Sequence, residues 1–130
     1  MSNVIFRLAQ GLKGFSNFNE AREFLLHTLA KRDNGYFYNT KKLRQIEENE
    51  IIYFVYDANI LAKARFLGEI KTDADRDDKF IEGHKIDILN VFDIGLKIEP
   101  NMLQQKTTRS IGYVDENDTE MLENIINQNC

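Results

Sequence analysis

The stretch from Ile51 to Phe66 constrains the fold of this chain more than any other. It reads IIYFVY, then Asp57-Ala58-Asn59, then ILAKARF. The first run is β-branched and aromatic, a composition that suits a pleated, buried surface. Asp57-Ala58-Asn59 supplies turn residues, and strict alternation follows it, the pattern of a tight β-hairpin. The alternation predicts Ile60, Ala62, Ala64, Phe66 and Ile70 on one face, with Leu61, Lys63, Arg65, Leu67 and Glu69 on the other. A curved sheet with aromatics and cations gathered at one mouth favours a binding module over an enzyme.

A chain of 130 residues is expected to form a single domain over 1–130 with a substantial core. No apolar run approaches the ~20 residues that span a bilayer, and the start of the chain carries no signal-peptide pattern. Its one cysteine is Cys130, so an internal disulfide is excluded and a cytoplasmic location is expected. The net charge of −4 opposes strong sequence-blind attraction to nucleic acid. It leaves room for a local basic face: Lys41, Lys42 and Arg44 sit together, Lys63 and Arg65 share a strand face, and Lys106 and Arg109 lie close.

Val4–Ala9 reads as a first strand. Asn17, with Glu20 three residues later, predicts a capped helix to about Lys31 that buries Phe18, Ala21 and Leu25. Tyr36-Phe37-Tyr38 is expected in a loop, ahead of a short helix from about Thr40 to Glu47. An acidic loop, Thr72–Lys79, follows the hairpin. His84–Ile98 predicts a strand pair or one bent strand with Ile86, Ile88, Val91, Ile94, Leu96 and Ile98 in the core. The change of phase between Ile88 and Val91 predicts a β-bulge or sharp bend. Thr108–Val114 closes the sheet. Glu116–Asn127 is a helix with Met121, Leu122, Ile125 and Ile126 as its apolar stripe. The fold class is α+β, a strongly bent mixed sheet or small barrel with peripheral helices.

Catalytic patterns are missing. Asp73-Ala74-Asp75-Arg76-Asp77-Asp78 opens like a calcium loop, but its sixth position is Asp78 where glycine is needed. Its twelfth is His84 where a bidentate Glu is needed, so a solvated loop is expected. His27 and His84 belong to no metal-ligating motif. Ser16 and Ser110 sit in no nucleophile frame, and Gly11-Leu12-Lys13-Gly14 is too short for a phosphate loop. No enzyme activity, metal or cofactor is expected. Three consecutive aromatics in an extended chain cannot all face inward, so one or more of Tyr36, Phe37 and Tyr38 is expected at a cleft or on the surface, with Tyr113 a similar case. Such rings either pack as ordinary core or rim aromatics or form a stacking wall for a planar ligand such as a nucleobase. Lys41, Lys42 and Arg44 at a helix start favour a phosphate.

The residues Tyr36 to Arg44, the turn Glu48-Asn49-Glu50 and the strands Ile51–Tyr56 and Ile60–Phe66 together resemble the EVE domain of the PUA-like superfamily. In that family an aromatic segment leads into a short basic helix, a K-x-G-D-like turn, an apolar strand and an I-V-G-x-A-x-V-like strand. Lys85–Ile98 is similar to its bent strand, and Arg109–Val114 with Asp115–Ile126 to its closing strand and helix. Asn49-Glu50 stands where the family usually has Gly-Asp, and no tryptophan is present. The resemblance implies a PUA-like pseudo-barrel whose cleft accepts a base, often a modified one flipped from DNA or RNA. It also implies a nuclease or other defence protein as partner, since such domains occur fused to nucleases in modification-dependent restriction systems, or alone. It places Tyr36, Phe37 and Tyr38 at the pocket wall, Asn39 and Thr40 at the cap of the phosphate-facing helix, and Ser110 to Tyr113 at the opposite rim.

The expected function is therefore a non-catalytic reader of a modified base in DNA or RNA, with no membrane partner. Tyr36, Tyr38 and Tyr113 would stack on or edge the base. Asn39, Thr40 or Ser110 would hydrogen-bond it, and Lys41, Lys42, Arg44 and Arg65 would hold phosphates. The alternative is a protein-interaction or scaffolding domain of a larger defence protein, which the acidic balance and acidic C-terminal helix favour.

Overall fold

The computed structural model describes residues 3–8, 17–28, 36–39, 47–71, 82–98 and 111–129. They form β1 (Asn3–Arg7), α1 (Phe18–Glu23), β2 (Tyr36–Asn39), β3 (Ile51–Tyr56), β4 (Asn59–Lys71), β5 (Glu82–Lys97), β6 (Ile111–Val114) and α2 (Glu116–Asn129). The six strands make one mixed sheet in the order β2-β5-β4-β3-β1-β6. β1 runs parallel to β3, and every other pairing is antiparallel. The class is α+β, as the residue pattern predicts.

Each face of the sheet carries its own core. Val4, Phe6, Ile52, Phe54, Tyr56, Ala62, Ala64 and Phe66 pack with Ala21 and Leu25 of the first helix. Ile5, Tyr53, Val55, Phe92 and Val114 pack with Leu122, Ile125 and Ile126 of α2. A sheet covered on both faces needs strands apolar on both sides, which is why Ile51–Tyr56 shows no polar alternation.

Several expectations change. Asn17 does cap α1, accepting from the Glu20 backbone N–H at 2.8 Å. The α-helix ends at Glu23, however, and the chain continues as a π-helical stretch, Phe24–Thr28, of the kind that inserts one extra residue per turn. The hairpin turn has two residues, Asp57 (φ 49°) and Ala58 (φ 60°), and Asn59 already belongs to β4. Such left-handed pairs match the twist of hairpin strands. Ile60 packs with α2 and Leu61 with α1, the reverse of the predicted faces, because the ladder slips between Ile60 and Ala62. Ile70 is exposed, lying beyond a third slip between Phe66 and Ile70. Of the two alternatives for His84–Ile98, the single strand is the one found, as β5 from Glu82 to Lys97. The predicted bulge is there: Lys63 pairs with Asn90 and Ala64 with Ile88, which leaves Leu89 extra. Met121 is exposed while Leu122, Ile125 and Ile126 are buried, so the α2 stripe is narrower than expected. Tyr36–Asn39 is an edge strand, not a loop, held by backbone pairing to β5 from Tyr36↔Lys85 to Asn39↔Glu82. The helix expected at Thr40–Glu47 and the loop Thr72–Lys79 lie outside the described residues, apart from Glu47; the side chain of Ile94 does too.

The sheet is strongly bent. Phe6 lies opposite Phe54, which lies opposite Ala62, which lies opposite Val91 of β5. In a flat sheet His84 would stand three strand spacings of ~4.8 Å across from Phe6 and seven residues at ~3.3 Å along, well over ~20 Å away. Their ring centroids are 6.5 Å apart. The outer arm of β4 and β5 therefore curls over the α1 face until His84 reaches β1. Gly68, at φ +87°, sits at the slip where the arm departs. The backbone angle favours glycine there, and a Cβ, 2.7 Å from Glu48 Oε1, would also push that carboxylate aside. The Glu47–Glu50 turn seats against the same place, with Asn49 N–H donating to Phe66 O (2.8 Å) and Phe66 N–H to Glu50 O (2.9 Å). Asn49 takes φ +73°, a left-handed position that asparagine tolerates better than most residues.

Candidate nucleic-acid interface

The curl decides how the sequence-predicted site residues relate to one another. Tyr36, Phe37, Tyr38 and Asn39 form β2 at one edge of the sheet, and Tyr113 lies on β6 at the other. A flat six-stranded sheet would hold these edges about 24 Å apart, five spacings of ~4.8 Å. Phe37 is the ladder partner of His84, and Phe6 is the ladder partner of Ile111 in β6. The contact between His84 and Phe6 thus joins the strand beside one edge to the strand beside the other. Tyr113 is partly buried against the concave, α1-side core and pairs with Val4. The side chains of Tyr36 to Asn39, together with Thr40, Lys41, Lys42, Arg44 and Ser110, lie outside what the structure describes.

The interior of the curl is filled. Phe6 and Phe54 meet edge to face at 5.6 Å, and Phe66 and His84 meet at 5.6 Å. His84, the twelfth position of the calcium-loop pattern, is 0% exposed within this group. Glu50 is also buried, next to Phe66 through its backbone carbonyl. The sequence marks His84 only as a histidine outside any metal-ligating motif and Glu50 only as part of a turn, because a lone His and a lone Glu carry no local pattern that announces burial.

The convex face holds Lys63, Arg65 and Lys85, each beside a carboxylate. Arg65 lies opposite Asp87 in the ladder, with its Nη2 3.4 Å from Asp87 Oδ2 and its Nη1 3.4 Å from Asn49 Oδ1. Lys85 Nζ is 3.5 Å from Glu69 Oε2. Lys63 donates to Glu123 Oε1 at 2.7 Å, and Tyr53 Oη donates to Glu123 Oε2 at 2.7 Å. Tyr53 and Lys63 are themselves ladder partners, so one carboxylate of α2 bridges two adjacent strands. Burial, and then the hydrogen bond and negative charge of Glu123, push the Tyr53 phenol well above the usual tyrosine range. Asn3 adds a second tie. It accepts from Ile51 N–H at 2.9 Å and donates to Thr119 Oγ1 at 3.3 Å. Arg7, which the sequence reading passed over, is half-buried, and desolvation lowers its pKa.

Among the described residues no group of three or more His, Cys, Asp or Glu side chains is placed to hold a metal ion. No described helix is long and apolar enough to cross a membrane. No family model matches this chain, and neither a curated protein nor a solved structure is significantly similar to it.

Proposed function

We propose that this chain is a non-catalytic nucleic-acid-binding module of PUA-like pseudo-barrel form, which takes a base between its β2 and β6 edges. The observation that supports the reading is the 6.5 Å contact of His84 with Phe6, which ties the strand beside the edge carrying Tyr36–Asn39 to the strand beside the edge carrying Tyr113. Because the interior of the curl is packed, the base occupies the gap at the rim. Tyr36, Tyr38 and Tyr113 stack on it or edge it, each stack contributing about 1–3 kcal/mol. Asn39, Thr40 or Ser110 hydrogen-bonds its polar edge. Lys41, Lys42 and Arg44 hold phosphates, and Arg65 joins them by exchanging its contacts with Asp87 and Asn49. Phosphate contacts position the strand and the gap specifies the base.

The test is a fluorescence-anisotropy titration with matched DNA and RNA oligonucleotides carrying unmodified, 5-methyl or 5-hydroxymethyl cytosine, across a salt series. A preference for one modified base that persists at high salt supports the reading. Tyr38→Ala then weakens modified and unmodified ligands unequally, whereas Lys42→Ala weakens both alike and lowers the salt slope. Equal losses for Tyr38→Ala remove the pocket assignment. The pairing of Lys63, Arg65 and Lys85 with carboxylates favours a second reading, a protein-interaction domain. Absent or salt-abolished oligonucleotide binding moves the conclusion there.

A further inference from the structure

We propose that His84 is the positioning residue that sets the width of the gap between the β2 and β6 edges, and so which base substituents the gap admits. This rests on the base-binding reading above. The His84 ring of the β5 arm meets the aromatic ring of Phe6 in β1. It is 0% exposed and also meets the ring of Phe66, at 5.6 Å. Its backbone pairs with Phe37 of β2, and the residue it meets, Phe6, pairs with Ile111 of β6. The imidazole is therefore a spacer in a continuous path from one edge to the other.

Close-packed interiors transmit a change in the volume of such a spacer to the elements that it separates. Gly68 and the ladder slip beside it supply the bend about which the arm settles. Neither edge strand is anchored from its outer side by a described strand. Shortening the side chain lets the arm move inward and narrows the gap, and a ring of similar size keeps it. His84 touches no ligand in this scheme; it acts through the placement of Tyr36–Asn39 and Tyr113.

The experiment compares His84→Ala, His84→Leu and His84→Phe in the full chain, each first checked for cooperative thermal unfolding. Two readouts follow. The first is the distance between spin labels at Asn39→Cys on β2 and Glu116→Cys just after β6, in a Cys130→Ser background. The second is the ratio of affinities for oligonucleotides carrying 5-hydroxymethyl and unmodified cytosine. His84→Ala is expected to shorten the label distance by a few ångströms, within the partial collapse seen when core volume is removed. It is also expected to lower the affinity ratio by about 10-fold or more, the scale on which a pocket discriminates one small group. His84→Leu gives a smaller change in the same direction and carries the test if the alanine variant does not fold. His84→Phe keeps both values close to those of the parent. A folded truncation variant with an unchanged label distance overturns the proposal. So does a changed distance with an unchanged affinity ratio, because a purely structural residue alters stability without altering selectivity. If the parent chain binds no oligonucleotide, the base-binding reading fails and takes the selectivity claim with it; the label distance alone then decides the geometric claim.

Discussion

Replacing Tyr53 with Phe isolates one hydrogen bond whose energetic and pH signatures are both fixed by the geometry. The Tyr53 ring is 0% exposed, and its hydroxyl donates to Glu123 Oε2 at 2.7 Å, while Lys63 occupies Oε1 at the same distance. A hydrogen bond to a charged group contributes about 1.5–3 kcal/mol. Glu123 is one-third exposed, so water partly replaces the lost donor, and the expected loss lies near the lower end, about 1.5 kcal/mol. At neutral pH this lowers the melting temperature by a few degrees for a domain of this size. The alkaline limb gives the sharper signature. The folded phenol is held protonated well above the usual range, whereas in the unfolded chain it ionises near ~10. Above that pH the unfolded state binds fewer protons than the folded state, so stability falls as pH rises. The contribution is fully present below pH ~10 and is lost at about 1.4 kcal/mol per pH unit above it. Urea denaturation from pH 7 to 11 is therefore expected to show the parent ahead of Tyr53→Phe by about 1.5 kcal/mol at pH 7. The two curves converge near pH 11. Parallel pH profiles for the two proteins would refute the assignment of a buried, carboxylate-bound phenol.

Three further substitutions probe the backbone. Gly68→Ala forces a side chain into φ +87° and against Glu48, and is expected to cost about 1–3 kcal/mol in urea denaturation. It should also weaken the contact of His84 with Phe6, seen as a changed His84 ring chemical shift. Gly95→Ala brings a Cβ to 2.7 Å from Asn59 Cβ and 3.1 Å from Phe18; both neighbours are packed, so a loss of about 1–3 kcal/mol is expected. Ala58→Gly relieves a left-handed alanine at φ 60° in the β3–β4 turn. It should raise stability by up to about 1 kcal/mol, and a loss of stability would contradict the turn geometry.

The parts of the fold legible in the sequence are those encoded by neighbours. The β-branched run Ile51–Tyr56 and its turn announced the central hairpin. The phase change after Ile88 announced the bulge at Leu89. Asn17 with Glu20 announced a helix start, and Leu122, Ile125 and Ile126 a buried stripe. What escaped depends on contacts between distant residues. The slip at Ile60 reversed the faces of Ile60 and Leu61 because a single extra residue inverts a period-two pattern. Tyr36–Asn39 became a strand through backbone pairing with β5, which leaves no trace in side-chain periodicity. Tyr53 finds its acceptor in Glu123, 70 residues away. The curl follows from Gly68 and from the meeting of His84 with Phe6, and no local pattern encodes it. Of the candidate site, the sequence named residues on both edges; the bend that relates those edges came only with the structure.

The most direct test of the account is an NMR titration of the isotopically labelled chain with a 5-methylcytosine oligonucleotide, following backbone amide shifts. The account predicts that Tyr36–Asn39 and Ile111–Val114 respond together and saturate at the same ligand concentration, while the convex-face residues Lys63 and Glu123 stay in place. Shifts confined to the convex face and α2, or to only one edge, would contradict a base held between β2 and β6.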